Sequence, residues 1–350
     1  MKTSEKSYEI KVPTYRNDIS IDADILEEIA RIHGLNSIPM IQEVVPTQGY
    51  LTSKQKRLRM IRHHLADLGL NEIISYTLKT EEDATRYEKI GTPISVLMPL
   101  SEDKKVLRQS LINGLLETVK YNKARQVSHM HLFEIGHVFA KDVEKSHLAI
   151  ALQGIWGQQA WDHKETVADF YLLKGILDET FNRFGITFDY VLSDDKEYLH
   201  PYRQAQLMLG SESIGVIGEI HPKEMKRLDI DKTIVLEIDL SKIMDVEHQT
   251  VFNHISKYPS ISRDLAVVVD ENLAVKKMLD LIAQTGKKYL VDLTVFDVYQ
   301  GSHIEKGMKS VAMNLVFNDK NKTLESEDVD KIMRSITIRL DRELKAKVRS

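Results

Sequence analysis

Apolar residues recur along this chain in two periods, and the switches between them mark its elements. The most informative stretch runs from Leu107 to Asp142. Leu111, Leu115, Val119 and Asn122 fall at three-to-four spacing and predict an amphipathic helix, whereas Met130 to Phe139 is rich in aromatic and β-branched residues and predicts a strand. Upstream, Tyr8 to Val12 alternates and ends at Pro13, which predicts one short strand. Asp22 is read as the N-cap of a helix carrying Ile25, Ile29 and Ile32, stopped by Gly34 with Pro39 beyond. Pro46 to Thr52 reads as a linker. Ser53 is read as the cap of a second helix, with Leu58, Ile61, Leu65 and Leu68 on one face, Lys54, Lys56, Arg57, Arg59 and Arg62 on the other, and Gly69 closing it. Strands are predicted at Glu72–Leu78, Ile94–Met98, His147–Ile155, Phe188–Leu192, Gln206–Leu209, Ser213–Ile220 and Thr233–Asp239, with a helix over Asp169–Phe184. Strands in runs with helices between them point to an α+β fold built on an antiparallel sheet.

From Ile255 onward the pattern describes a second, smaller unit. A strand at Leu265–Val269 precedes a helix with Val275, Met278, Leu279 and Ile282 inside. Two strands follow: Leu290–Tyr299, presenting Val291, Leu293 and Val295 to one side, and Lys309–Phe317, presenting Val311, Met313, Leu315 and Phe317. A long helix starts near Ser326 with Val329, Ile332, Met333, Ile336, Leu340 and Leu344 on its core face, and a short strand begins near Val348. The order βαββαβ predicts a ferredoxin-like plait of roughly 95 residues.

Composition narrows the class. At 350 residues two or three domains are expected. No apolar run approaches the ~20 residues of a membrane helix, and Lys2, Glu5, Lys6 and Glu9 interrupt any signal-like stretch, so no membrane contact and a cytoplasmic location are expected. The absence of cysteine excludes disulfides and thiolate metal sites. The net charge of −4 conceals an asymmetry: residues 255–350 carry 17 Lys and Arg against 14 Asp and Glu, a net of +3, which leaves −7 for the rest. A mildly basic C-terminal third is compatible with nucleic-acid contact without arguing for it.

Three groups of residues invite chemistry. Asp24, Glu27 and Glu28 share one face of the first helix, and Asp18 in the preceding turn can reach the same side. Oxygen-only ligands of this kind suit Mg²⁺; equally, acidic residues in a first turn favour the helix dipole and Arg31 can pair with Glu27. His200-Pro201 and His221-Pro222 lack the spacing of a metal site and read as turns beside strands. In the C-terminal unit Tyr299 at a strand end offers a stacking surface for a base, and Arg263, Lys309 and Lys322 could neutralise phosphates, although a strand-end aromatic and surface lysines are ordinary features too.

Several motifs then resemble one family. The strand ending Gly136-His137-Val138-Phe139 resembles the motif 2 strand of class II aminoacyl-tRNA synthetases, where an Arg follows the Phe and a Glu comes two positions later; here Ala140 and Asp142 stand instead, and no guanidinium fork is available for an adenylate. Gly215 and Gly218 suit motif 3, but no Arg follows until Arg227. Val12-Pro13-Thr14-Tyr15-Arg16-Asn17-Asp18, Asp24-Ile25-Leu26-Glu27-Glu28-Ile29-Ala30-Arg31-Ile32-His33-Gly34 and Ile38-Pro39 resemble the end of the B5 domain of bacterial phenylalanyl-tRNA synthetase β subunits. Tyr258-Pro259, Arg263-Asp264-Leu265, Phe296-Asp297-Val298-Tyr299, Gly301, Gly307, Lys309-Ser310 and Lys322-Thr323-Leu324 resemble the FDX-ACB anticodon-binding domain of the same β subunits.

The resemblance implies an incomplete B5 segment over 1–46, a catalytically inert class II synthetase-like domain over 47–252 and an FDX-ACB domain over 255–350. It implies Mg²⁺ on Asp18, Asp24, Glu27 and Glu28, anticodon contacts from Asp297, Tyr299 and Ser310, and no catalytic residue in this chain. The implied partners are a catalytic α subunit, in an α2β2 heterotetramer that uses ATP, and tRNA(Phe). The family's N-terminal half, with its OB and B3/B4 editing modules, is expected to be absent, so no editing of mischarged tRNA is expected. A free-standing RNA-binding or regulatory protein derived from a synthetase is the alternative, and a self-sufficient class II ligase a further one that Ala140 argues against.

Overall fold

The computed structural model describes residues 2–4, 7–41, 48–157, 161, 165–246, 252, 254–301 and 304–349. The chain divides into two units, residues 1–248 and 249–350. The expected boundary at 46/47 and the first residues of the expected linker lie outside the described residues, as does Asn253 at the second boundary.

In the first unit the elements that build the main sheet and its cover are α1 (Asp22–His33), α2 (Ser53–Asp67), β1 (Asn71–Glu72), α3 (Ile112–Lys123), β2 (Met130–Ala140), β3 (Val143–Gln153), α4 (Phe170–Asn182), β4 (Asp189–Leu192), β5 (Leu199–Leu209), β6 (Glu212–Ile220), α5 (Pro222–Leu228) and β7 (Thr233–Asp239), beside shorter pieces. The strands form one seven-stranded sheet in the order β4-β5-β6-β7-β3-β2-β1. Its pairs are antiparallel except β1 with β2, where Asn71 lies opposite Leu132. Helices cover both faces. Leu148, Ile150 and Leu152 of β3 and Ile234, Leu236 and Ile238 of β7 pack with Ile61 and Leu65 of α2 and Leu173, Leu177 and Phe181 of α4. The alternate residues Ala149, Ala151 and Val235 pack with Leu115, Leu116 and Val119 of α3. This two-sided cover explains why β7 is buried at every position and reads as an unbroken apolar run. Trp156, just beyond β3, packs against the first of these cores with its ring 4.6 Å from that of His131.

Sequence reading and structure part in several places. α2 is capped by Thr52, whose hydroxyl accepts from the Gln55 backbone N–H, and Ser53 is its first helical residue. α1 likewise starts at Asp22 after Ile21, and Asp24 reaches back to cap the Ser20 and Ile21 N–H groups at 2.7 and 2.8 Å. The strand expected at Glu72–Leu78 is interrupted after Glu72, because Ser75 turns inward to the buried Glu134. Of Ile94–Met98 only Ser95 forms a bridge, to Val106. Tyr8 alone of Tyr8–Val12 is in a strand, Ser7–Tyr8 paired with Lys2–Ser4. α1 buries none of its residues, and Leu26, Ile29 and Ile32 are exposed.

Two buried acids tie α3 to the sheet. The Glu237 carboxylate, on the α3 face of β7, accepts from the Ser110 hydroxyl at 2.5 Å, the Leu111 backbone N–H at 3.0 Å and His147 Nδ1 at 2.8 Å. Burial pushes this carboxyl up, but the bonds from His147, Ser110 and Leu111 outweigh it and hold the group below the ordinary glutamate range. Glu134 accepts from Ser75 Oγ and from Arg108 Nη1, both at 2.7 Å, and Arg108 Nε donates to the His137 carbonyl.

In the second unit β8 (Ile261–Asp270), α6 (Val275–Gly286), β9 (Leu290–Tyr299), β10 (Met308–Phe317), α7 (Ser326–Leu344) and β11 (Lys347–Val348) follow in turn. The sheet order β9-β10-β8-β11, all antiparallel, is the ferredoxin-like plait. Leu265, Val267, Val269, Val311, Met313, Leu315 and Phe317 face α6 and α7 and form its core. β9 carries register shifts between Leu290 and Asp292 and between Val295 and Asp297, so Val291 is exposed while Leu290, Leu293 and Val295 pack inward.

Two outcomes test this construction. Glu134→Ala leaves the buried Arg108 unpaired and is expected to destabilise the first unit by about 3–5 kcal/mol in urea denaturation. Glu237 titrates lower folded than unfolded, so its stabilisation is present above the unfolded glutamate pKa and lost as the pH falls through the folded value. Melting followed from neutral to acid pH should show that loss, and Glu237→Gln should flatten the profile.

Candidate nucleic-acid interface

The alternation of side chains along a strand decides which candidate residues of the second unit can meet. In β10 the odd-numbered positions from Val311 to Phe317 face the helices, so Ser310, Ala312 and Asn314 face away from them. Tyr299 lies opposite Ser310 and Asp297 opposite Ala312. Asp297, Tyr299 and Ser310 therefore stand together on the uncovered face. The Tyr299 ring is half-buried and Ser310 is only 4% exposed. The ring also lies against Gly301: a Cβ there would stand 2.4 Å from the Tyr299 hydroxyl oxygen and 2.7 Å from Cζ. Glycine at 301 is what lets the ring lie down.

Arg263 and Lys309 do not join this group. Arg263 is on the helix-covered side of β8, where its Nη2 lies 3.4 Å from Asp330 Oδ1 of α7. Lys309 lies opposite the core residue Val269, and its ammonium donates to the Glu271 carbonyl at 2.8 Å. Burial holds the Lys309 amine below its ordinary range, against the opposing influence of Asp270 and Glu271. The sequence offers both as cations that could neutralise phosphates beside Tyr299; strand parity puts them on the opposite side. Lys322 pairs with Asp328 at 3.6 Å.

The acidic group near α1 is organised around a cation the chain supplies. Arg16 Nη2 lies 2.7 Å from Asp18 Oδ2 and 2.6 Å from Glu28 Oε1, and Arg31 meets the other Glu28 oxygen at 2.5 Å. The Arg16 hydrogen bond holds the Asp18 carboxyl below its ordinary range, and Arg16 and then Arg31 do so for Glu28. Asp24, held low by its bonds from the Ser20 and Ile21 N–H groups, is spent on the helix start. Glu27 is exposed. Among the described residues no three His or acidic side chains are arranged to hold a metal ion. The four carboxylates expected to bind Mg²⁺ thus do not fit it as folded: Arg16 fills the place between Asp18 and Glu28.

Residues at the positions compared with motifs 2 and 3 pack or pair within the first unit. Ala140 is buried at the end of β2, and a Cβ on Gly91 would lie 3.0 Å from its methyl group. Gly215 is forced by close strand approach, because a Cβ there would meet the Glu237 carbonyl oxygen at 2.2 Å. Arg227 is held by Glu224 at 2.6 Å and by the Tyr87 hydroxyl at 3.2 Å. On the basic face of α2, Arg57 donates to the Ile243 and Met244 carbonyls and Arg62 pairs with Glu72. His200 and His221 each accept a backbone N–H two residues on through Nδ1, from Tyr202 and Lys223, as turn and cap residues.

The first unit is a helix-covered, mostly antiparallel sheet and the second a ferredoxin-like plait, and both are matched by families of the aminoacyl-tRNA synthetase class. Residues 38–240 match the phenylalanyl tRNA synthetase beta chain CLM domain, residues 256–349 the ferredoxin-fold anticodon binding domain and residues 1–35 the tRNA synthetase B5 domain. The chain belongs to the phenylalanyl-tRNA synthetase β chain family. It is 37% identical to the phenylalanine–tRNA ligase beta subunit of Bacillus licheniformis over 343 residues, covering 95% of this chain and 42% of that protein. It is 36% identical to the one from Geobacillus kaustophilus over 353 residues (98% and 44%) and 38% identical to the one from Bacillus subtilis over 333 residues (92% and 41%). The chain thus spans less than half the length of these curated relatives. Among the described residues no helix is long and apolar enough to cross a membrane.

Because Arg16 occupies the carboxylates, Arg16→Ala is expected to bind Mn²⁺, used as a spectroscopic probe, more tightly than the unaltered chain. Electron paramagnetic resonance of free Mn²⁺ in a titration measures this; equal affinities would show that Arg16 does not compete.

Proposed function

We propose that this chain works within a cytoplasmic phenylalanine–tRNA ligase as the subunit that performs no bond chemistry. In this reading residues 47–252 scaffold a catalytic α subunit in an α2β2 assembly, and residues 255–350 hold the anticodon end of tRNA(Phe). The assembly attaches phenylalanine to tRNA(Phe), with ATP and its Mg²⁺ handled on the α subunit. The observation that carries the reading is the grouping of Asp297, Tyr299 and Ser310 on the uncovered sheet face of a domain that matches an anticodon-binding family.

That face suits an unpaired base. An aromatic ring on a sheet contributes roughly 1–3 kcal/mol per stacked base whatever its identity. The exposed Asp297 carboxylate, two residues away, is acceptor-only and favours a base edge presenting N–H groups. Ser310, opposite Tyr299 in the ladder, adds a hydroxyl that both donates and accepts. The absence of chemistry from this subunit is supported by the buried Ala140, where a motif 2 arginine would be needed, and by the engagement of Arg108 and Arg227 in structural pairs.

Phenylalanine-dependent ATP–pyrophosphate exchange tests the division of labour. Exchange is expected from the mixture with an α subunit above the level of α alone, and none from this chain by itself; exchange by this chain alone overturns the reading. The platform has its own test. Gly301→Ala pushes the Tyr299 ring off its seat and is expected to weaken binding of a tRNA(Phe) anticodon stem–loop about tenfold, within the range of one lost stack, with the melting temperature little changed.

A further inference from the structure

We propose that a cavity on the α3 side of the first unit's sheet binds a small organic ammonium ion, with His147 Nε2 accepting one of its N–H groups. The inference is independent of the anticodon-platform reading and concerns groups to which that reading gives no task.

The cavity lies where the first halves of β3 and β6 meet the C-terminal end of β7, and it measures about 240 Å³. That is far more than the ~10–15 Å³ one water needs and just below the ~300 Å³ at the small end of ligand pockets. His147 of β3 and Glu237 and Asp239 of β7 line it, and Asp239 stands directly opposite His147 in the ladder. All three point to the side of the sheet that carries Ala149 and Val235.

The charges of the wall do not cancel. It holds three lysines, and each already faces a carboxylate. Lys145 Nζ lies 2.9 Å from Asp239 Oδ2, Lys196 Nζ 2.6 Å from Glu88 Oε2 and Lys242 Nζ 2.6 Å from Glu212 Oε1. Two carboxylates of the wall are left over. Glu237 is buried and is met by Ser110, Leu111 and His147, and the exposed Asp195 accepts from the Gln206 amide. Among the described residues neither has a Lys or Arg partner. The surplus is negative, so the wall attracts a cation and repels an anion.

Hydrogen bonding points the same way. Glu237 is ionised, since its donors hold it below the ordinary glutamate range. His147 Nδ1, 2.8 Å from that carboxylate, therefore carries the proton between them. The other ring nitrogen, Nε2, is buried and has no partner among the described residues. In the neutral ring it is a bare acceptor, which is unfavourable in a protein interior. An ammonium ion answers both demands, because it is positive and bears only donors. A hydroxyl answers one of them, and a carboxylate neither. Nε2 is shielded from solvent; the flexible stems of Lys145 and Lys242, which share the wall, are the parts a ligand moves aside to reach it.

The experiment titrates the full chain with n-propylammonium chloride and, separately, with sodium propionate at matched ionic strength. The histidine ring nitrogens are followed by long-range proton–nitrogen correlation spectroscopy, with the His147 signals assigned by their loss in His147→Gln. Propylammonium is expected to shift the Nε2 signal saturably with a Kd of about a millimolar, and propionate to leave it in place. Asp195→Asn, at an exposed position, is expected to weaken binding about two- to fivefold, the effect of one surface charge. A signal moved by propionate and not by propylammonium would reveal a charged ring holding an anion and would overturn the proposal. So would a signal that neither probe moves, or an Asp195→Asn affinity equal to that of the unaltered chain. Isothermal calorimetry of both probes on the unaltered chain gives the two affinities directly, so the outcome does not depend on whether His147→Gln folds.

Discussion

Extended backbone sends successive side chains to opposite faces, and that constraint governs both units of this protein. In the first unit it lets β3 and β7 bury apolar residues on both sides while presenting His147 and Glu237 to the same face as Ala149 and Val235. In the second it divides one strand pair between a core and an open surface. Asp297, Tyr299 and Ser310 become neighbours because their parities agree across the ladder, and Arg263 and Lys309 are lost to the helix side because theirs do not. Had β9 kept perfect register, Asp297 would fall on the core side; the irregularity after Val295 brings it to the surface.

Buried charge gives the class II-like sheet its individuality. Glu237 and Glu134 are desolvated, and each is stable only because a fixed set of donors meets it. Those donors come from Ser75, Arg108, Ser110 and Leu111, segments distant in sequence from β2 and β7. The acids therefore fix where α3 and its preceding loop lie.

Much of this was legible in the sequence, and the failures have physical causes. The long strands Met130–Ala140 and Thr233–Asp239 and the βαββαβ order are readable because burial imposes a period on many consecutive residues. Helix starts differ by one residue from the sequence expectation at Thr52 and Ile21, since a run such as Thr52-Ser53 offers two competent caps and Asp24 caps from inside the helix. The Glu72–Leu78 run is apolar enough for a strand, and only the distant Glu134 explains why Ser75 turns in. The acidic group was recognised, yet its cation was overlooked because Arg16 lies twelve residues from Glu28 and spacing on one helix cannot reveal a partner outside it.

The two-unit division also separates the chain's fluorophores. Both tryptophans, Trp156 and Trp161, belong to the first unit, and the second holds only tyrosines such as Tyr258, Tyr289 and Tyr299. Selective tryptophan excitation therefore reports on the sheet of the first unit through Trp156, which packs at its core. Amide circular dichroism sums over both units. Divergence of the two signals during denaturation resolves the two units within one intact chain, without cutting it.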